Sequence, residues 1–194
     1  EEAAEGVIAM SAGAFGDVGQ ALLGDRDALA AERARYWMAL YPQRFYLELH
    51  RTGREGDETH LHAAVKLAQQ LQCPVVATND VRFLHAGEFE AHEARVCIRE
   101  GRTLDDPRRA RHYTDQQYLR SPEEMAALFA DIPEALANSV EIARRCNVVL
   151  ELGVPYLPDY PVPAGQTMDE FFRQQSHEGL DRRLKRLFDA SAPD

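Results

Sequence analysis

Three short apolar runs, separated by helical segments, constrain the fold of this chain most strongly. The runs cover residues 6–11, 44–50 and 74–79, and each has the length and composition of a buried strand. Between them, residues 27–42 and 57–73 repeat apolar side chains at a helical spacing. Strand, helix, strand, helix, strand with such connections is the pattern of a parallel sheet or a (β/α) barrel, so the chain is predicted to be α/β.

The helical spacing also predicts which faces are buried. In the first helix the predicted inward residues are Leu29, Tyr36, Trp37 and Leu40. In the second they are Leu61, Ala64, Val65, Ala68 and Leu71, with Asp57 as the candidate N-cap. His60 and His62 lie two positions apart on this helix, and their side chains point in nearly opposite directions. We therefore interpret both histidines as solvated rather than as ligands of one metal ion.

After residue 80 the sequence predicts helices and no further strands. One helix covers residues 88–101 and ends at Gly101. Ser121, followed by Pro122 and Glu124, has the pattern of a capping box at the start of the next helix. The helix after that is predicted to turn Leu136, Val140 and either Ile142 or Ala143 inward.

A proline-rich stretch marks a candidate domain boundary. Four prolines in the thirteen residues 153–165 exclude regular structure and predict an extended linker. A last helix begins after it, with Thr167 and Glu170 as a second capping box.

Composition excludes several classes of protein. The formal net charge of −10 disfavours a dedicated nucleic-acid-binding module. Cys73, Cys97 and Cys146 are widely spaced, which favours neither a zinc site nor a disulfide framework and fits a reducing cytoplasm. No signal peptide and no apolar run long enough for a membrane span is present, and a start without Met is expected for a fragment.

Asp80 is the first candidate for chemistry, because it follows the apolar run "VVATN" directly. Carboxylates at the carboxyl ends of strands commonly build active sites in α/β proteins. Asp80 is thus a candidate metal ligand or catalytic acid, or a candidate remnant of one. His92 lies in no metal-ligand spacing, and a structural hydrogen bond is the simpler interpretation.

Two basic regions are candidate DNA or interdomain contacts. Arg108 and Arg109 lie in a loop with nearby tyrosines, and the last helix carries Arg182, Arg183 and Arg186. A charged surface loop and a solvated helix face remain the simpler interpretations.

Five stretches carry a family resemblance. They are "GVIAMSAGAFGDVGQALL" (6–23), "FYLELHRTGREGDETHLHAAVKLAQQLQCPVVATNDVRFL" (45–84), "AHEARVCIREGRTLDDPRR" (91–109), "FADIPEALANSVEIARRCNVVLELG" (129–153) and "YLPDYPVPAGQTMDEFF" (156–172). In order along the chain, they resemble the alpha subunits of bacterial DNA polymerase III, the replicative polymerases of family C.

The resemblance implies a domain organisation. Residues 1–153 would be the C-terminal portion of a PHP (polymerase and histidinol phosphatase) domain, a distorted (β/α) barrel whose first strands are missing here. Residues 154–166 would be the proline-rich linker. Residues 167–194 would be the helical start of the polymerase core.

The same resemblance places degenerate metal-site positions at Thr52, Asp80 and Arg82. Metal-binding PHP domains have His-Gly where this chain has Thr52-Gly53, and Asp-x-His where it has Asp80-Val81-Arg82. An arginine stays protonated and repels a divalent cation. We therefore expect no metal in this chain and an ion pair between Arg82 and a carboxylate, either Asp80 or one from upstream.

The resemblance further implies a function for the parent protein, which is DNA-directed DNA polymerase (nucleotidyltransferase) activity in DNA replication. Its magnesium would lie in a palm domain outside this chain, which would hold no catalytic residue and no cofactor. The implied partners are the proofreading exonuclease (epsilon) subunit, other replicase subunits including the sliding clamp, and primer–template DNA, all in the cytoplasm and away from membranes.

Two other interpretations stay open from the sequence. One is an active metal-dependent PHP phosphoesterase or 3′–5′ exonuclease, which would need histidines at positions 52 and 82. The other is an interaction module with no polymerase attached.

Overall fold

A computed structural model describes residues 4–155, 157 and 160–188. The chain divides into two compact units that adjoin in sequence between Val148 and Val149. The domain boundaries implied by the resemblance stay a prediction.

Three parallel strands form the sheet of the first unit, in the order β1 (Ala9–Met10), β2 (Phe45–Leu49) and β3 (Val75–Ala77). Ala9 is in register with Phe45, and Leu47 with Val75. All three predicted strands are therefore present, each shorter than its apolar run. The mixed α/β class is confirmed, and the sheet of the described residues stops at three strands.

The described residues form seven α-helices. They are α1 (Asp17–Leu23), α2 (Asp27–Leu40), α3 (Asp57–Leu71), α4 (Phe89–Glu100), α5 (Pro122–Leu128), α6 (Pro133–Arg145) and α7 (Met168–Phe188). After β3 the described chain adds only an isolated bridge between Phe83 and Tyr118. None of these helices combines the length and apolar character needed to cross a bilayer.

The core of the first unit lies between the central strand and the helices. Leu47 and Leu49 of β2 are almost fully buried with Val18 of α1 and with Leu61 and Ala64 of α3. Parallel strands need crossover helices, and these crossovers bring their apolar faces onto the sheet.

The predicted inward face of α2 is partly wrong. Ala30 and Ala34 are the buried residues of this helix, whereas Tyr36 is 56% exposed. The small side chains of Ala30 and Ala34 let this helix pack closely. Trp37 is half-buried, and its indole N–H donates to the Asp17 carboxylate at 3.1 Å. Periodicity alone did not distinguish this face.

The start of α3 also differs from the prediction. Gly56, with φ +86°, is the N-cap, and Asp57 is the first helical residue. Leu61, Ala64 and Ala68 are buried as predicted, and Leu67 joins them.

Local start and stop signals are confirmed in the later helices. Gly101 ends α4 with φ +64°, and Ser121 and Glu124 form the predicted capping box. The Thr167 hydroxyl accepts from the Glu170 amide at 3.3 Å, and the Glu170 carboxylate accepts from the Thr167 amide at 2.9 Å. On α6, Ala135 is buried and Val140 is 50% exposed, so the inward position predicted for Val140 is wrong.

Candidate site at the carboxyl ends of the strands

Asp80 lies between two arginines just beyond the carboxyl end of β3. The Arg54 guanidinium donates to Asp80 Oδ2, and Arg82 Nη2 lies 2.7 Å from Asp80 Oδ1. The fully buried amide of Gln117 donates to Asp80 Oδ2 and to the Asp80 carbonyl, both at 3.0 Å. The carboxylate is therefore satisfied on both oxygens by protein groups. The ion pair predicted between Arg82 and Asp80 is present.

Loop conformation brings these groups together. Asp80 has φ +39°, which turns the chain sharply after the strand. Gly53, with φ +75°, makes a corresponding turn after β2 and directs Arg54 toward Asp80. Parallel strands end at one edge of the sheet, so residues far apart in sequence meet there.

Thr52 is fully buried and bonded to a different carboxylate. Its amide and its hydroxyl both donate to Asp57 Oδ2 at 2.8 Å. The amide of Arg54 donates to the same oxygen at 3.3 Å. Thr52 thereby joins the end of β2 to the first turn of α3, and its hydroxyl proton is already engaged.

A second polar cluster is centred on Glu48 of β2. The Thr78 hydroxyl donates to Glu48 Oε1 at 2.6 Å, and His50 Nε2 lies 3.3 Å from the same oxygen. Burial raises the pKa of the Glu48 carboxyl, but the contacts with His50 and Thr78 outweigh it and hold that pKa below its ordinary value. The His50 ring packs on Gly13, where an added Cβ would lie 2.5 Å from it.

The interpretation of His60 as a solvated side chain is wrong. His60 is only 2% exposed, whereas His62 is exposed and contacts the Glu58 carbonyl at 2.7 Å. Burial, together with the nearby His50, lowers the pKa of His60 to about 4. This imidazole is therefore neutral at pH 7.

Asp80, Arg54, Arg82 and Gln117 form a closed network of ion pairs and hydrogen bonds at the strand ends. Nowhere in the part of the chain that the structure describes do three or more His, Cys, Asp or Glu side chains converge as a metal site would require. At Asp80, two cations already occupy the space around the carboxylate. The arrangement can hold the strand ends together.

The basic residues predicted as contacts differ in their surroundings. The Arg109 side chain is 5% exposed and donates to the equally buried carboxylate of Glu93. Arg108 is 80% exposed and bonds to Asp106. Arg182, Arg183 and Arg186 are all exposed on α7. A DNA contact through Arg109 would require this pair with Glu93 to open, and the role of these arginines as DNA or interdomain contacts stays a prediction.

Sequence reasoning missed the partners of the site. Arg54, Gln117 and Asp57 hold Asp80 and Thr52, yet none was singled out for this role. Arg54 had a local signal, because it follows the Thr52-Gly53 turn at a strand end. Gln117 had none, since it is 37 residues from Asp80 and reaches it only through the fold.

Comparison with known proteins shows which proteins this chain is similar to. The chain is 57% identical over 194 residues, its full length, to the DNA polymerase III subunit alpha of Pseudomonas aeruginosa. It is 57% identical over 186 residues to that of Pseudomonas fluorescens, and 52% identical over 184 residues to that of Escherichia coli K12. The chain matches a segment of the bacterial DNA polymerase III alpha subunit.

The match covers nearly all of this chain but a small part of each relative. It covers 95 to 100% of the chain but only 16% of each of these alpha subunits. No family model matches the chain.

Proposed function

We propose that this chain is a non-catalytic PHP-type scaffold within a replicative DNA polymerase III alpha subunit. One observation carries the proposal: Asp80, at the position where metal-binding PHP domains hold a cation, is neutralised by Arg54 and Arg82. The guanidinium groups supply the positive charge that a divalent ion would otherwise bring.

The polymerase activity itself belongs to the proposed parent protein. Template-directed synthesis would use magnesium ions held by carboxylates of a palm domain, where they activate the primer 3′-hydroxyl and stabilise the leaving pyrophosphate. We assign no catalytic residue and no cofactor to this chain.

A PHP barrel is the proposed context of the sheet. Within the described residues, β1 pairs only with β2, and β3 pairs only with β2, so each outer strand has a free edge. Parallel strands with crossover helices are the unit from which (β/α) barrels are built. These edges support, as part of the proposal, continuation into further strands.

The proposed role of the scaffold is to dock the separate proofreading exonuclease (epsilon) subunit. Other replicase subunits, including the sliding clamp, and primer–template DNA would reach the chain through the parent protein. As part of a replicase it would work in the bacterial cytoplasm, where the chromosome lies.

The proposal is tested on the full-length alpha subunit that contains this chain. We expect primer extension by the purified subunit, no degradation of a 3′-labelled single strand by it alone, and a stable complex with the exonuclease subunit in size-exclusion chromatography. Absence of primer extension would refute the polymerase assignment. Strand degradation that tracks the purified subunit and is lost in Asp80→Ala would instead favour an active PHP nuclease.

A further inference from the structure

A cavity of about 420 Å³ opens between residues 81–84 and the first half of α4. Its walls are partly apolar, with Val81 44% exposed and Leu84 60% exposed at its sides. Arg82, His92 and Arg95 line it as well. Exposed apolar side chains beside basic groups are the composition of a recognition groove.

The charge of this cavity is unbalanced. Its lining carries two arginines, Arg82 and Arg95. The Asp80 carboxylate that pairs with Arg82 is shared with Arg54. Arg95 is exposed and forms no ion pair with any residue the structure describes. Glu88 also lines the cavity, but its carboxylate accepts from the amides of Leu84 and His85 at 2.9 Å.

His92 adds an unsatisfied polar group to the cavity lining. Its ring lies edge-on to Tyr113, with centroids 4.7 Å apart, and 5.6 Å from the ring of Phe83. Both ring nitrogens are buried, and neither has a hydrogen-bond partner among the described residues. Burial lowers the pKa of His92, and the charges of Arg95 and Arg82 add to this effect against that of Glu93. The ring therefore carries buried hydrogen-bonding atoms that no described residue uses.

We propose that this cavity docks an acidic, apolar peptide segment of a partner protein. A carboxylate of that segment pairs with Arg95 and Arg82, and flanking apolar side chains cover Val81 and Leu84. Bidentate binding of carboxylates by arginine gives such sites their orientation. The apolar walls favour a peptide over a nucleic acid, because a peptide offers apolar side chains that can cover Val81 and Leu84.

This inference goes beyond the proposed scaffold role, because it names the chemistry of a bound segment and not which subunit supplies it. It also does not depend on polymerase activity. Failure of peptide binding would leave primer extension unaffected, and loss of primer extension would leave peptide binding unaffected.

The test uses the full-length protein and a fluorescein-labelled peptide, Leu-Glu-Leu-Glu-Leu-amide, in fluorescence anisotropy. The matched probe is Leu-Gln-Leu-Gln-Leu-amide, which keeps the shape and removes the charge. Arg95→Glu reverses the charge inside the cavity. Arg99→Glu makes the same change one turn further along α4, outside the cavity lining, and controls for long-range electrostatics.

We expect saturable binding of the acidic peptide, weakened about tenfold or more by Arg95→Glu and less than about twofold by Arg99→Glu. Leu84→Ala should also weaken it, and hydrogen exchange should slow at residues 81–84 and 91–95. No binding of the acidic peptide, equal binding of the glutamine peptide, or equal effects of the two reversals would overturn the proposal. Displacement by inorganic phosphate at lower concentration than by unlabelled peptide would overturn it in favour of a phosphate site.

Discussion

Asp80 shares one negative charge between two guanidinium groups that differ in their exposure. The Arg54 side chain is 9% exposed and that of Arg82 is 42% exposed. The pair with Arg54 is poorly screened by water, so loss of its partner carries the larger energetic penalty. The pair with Arg82 contributes less, because solvent screens it. Asp80 is therefore expected to act on stability mainly through Arg54.

Asp80→Asn should lower the free energy of unfolding by roughly 2 kcal/mol, because it leaves a buried guanidinium without a counter-charge. Hydrogen exchange of the β2 and β3 amides in the full-length protein measures this local stability. Asp105→Asn is the control, since Asp105 is exposed and has no partner among the described residues. Equal exchange in the two variants would contradict the assigned role of Asp80.

The buried imidazole of His60 predicts a pH dependence of stability. Its pKa is about 4 in the fold against an ordinary value of 6.5, so the unfolded chain binds this proton first as pH falls. Stability is therefore expected to fall from about pH 7 toward pH 4, by roughly 2 kcal/mol between pH 7 and pH 5 from this group. Below about pH 4, the pKa of His60 in the fold, the effect of His60 on stability no longer changes with pH.

The measurement compares wild type with His60→Leu across this pH range by hydrogen exchange of the α3 amides. The variant should lack this part of the decline. His62→Leu, at the exposed neighbour, should keep it. A decline of equal size in wild type and His60→Leu would show that His60 titrates normally in the fold.

At the scale of elements, helix ends in this chain are set by single residues. Gly101 ends α4 in a left-handed conformation, and its amide donates to the carbonyls of Cys97 and Ile98. Ser121 begins α5 through its side chain. These signals act within four residues, so they hold in whatever tertiary context the helix meets.

Gly101→Ala should lower stability by about 1 kcal/mol, because a Cβ disfavours the left-handed conformation. Gly87 offers a matched control. A Cβ at either glycine would meet open space, but Gly87 has no positive φ. Gly87→Ala should therefore be neutral or slightly stabilising, as measured by exchange of the α4 amides. Equal losses at both positions would refute the conformational argument.

Features set by residues close in sequence could be predicted, whereas features set by residues that meet only in the fold could not. The three strands, the C-terminal end of α4, the start of α5 and an ion pair of Arg82 with a carboxylate follow from signals close in sequence. The burial of Tyr36 and Val140 was predicted wrongly because periodicity does not report which neighbour covers a face. The burial of His60 could not be predicted, since it depends on how α3 packs on the sheet.

At the scale of the whole molecule, the chain matches only part of the length of its relatives. It spans 16% of the alpha subunits that it matches. Its first unit carries a closed ion-pair network at the strand ends, and its second unit carries the basic residues of α7. In the first unit, Arg54 and Arg82 pair with Asp80, and the proposed function includes the claim that they take the place of a metal ion there.

Metal content of the full-length protein tests that claim most directly. The purified protein and its Asp80→Ala variant are dialysed against a chelator, re-exposed to Mn²⁺ or Zn²⁺, desalted, and analysed by mass spectrometry of the elements. We predict no difference in bound metal between them, because Arg54 and Arg82 exclude a cation from Asp80. One or more equivalents of Mn²⁺ or Zn²⁺ in the wild type that are lost from Asp80→Ala would contradict the account.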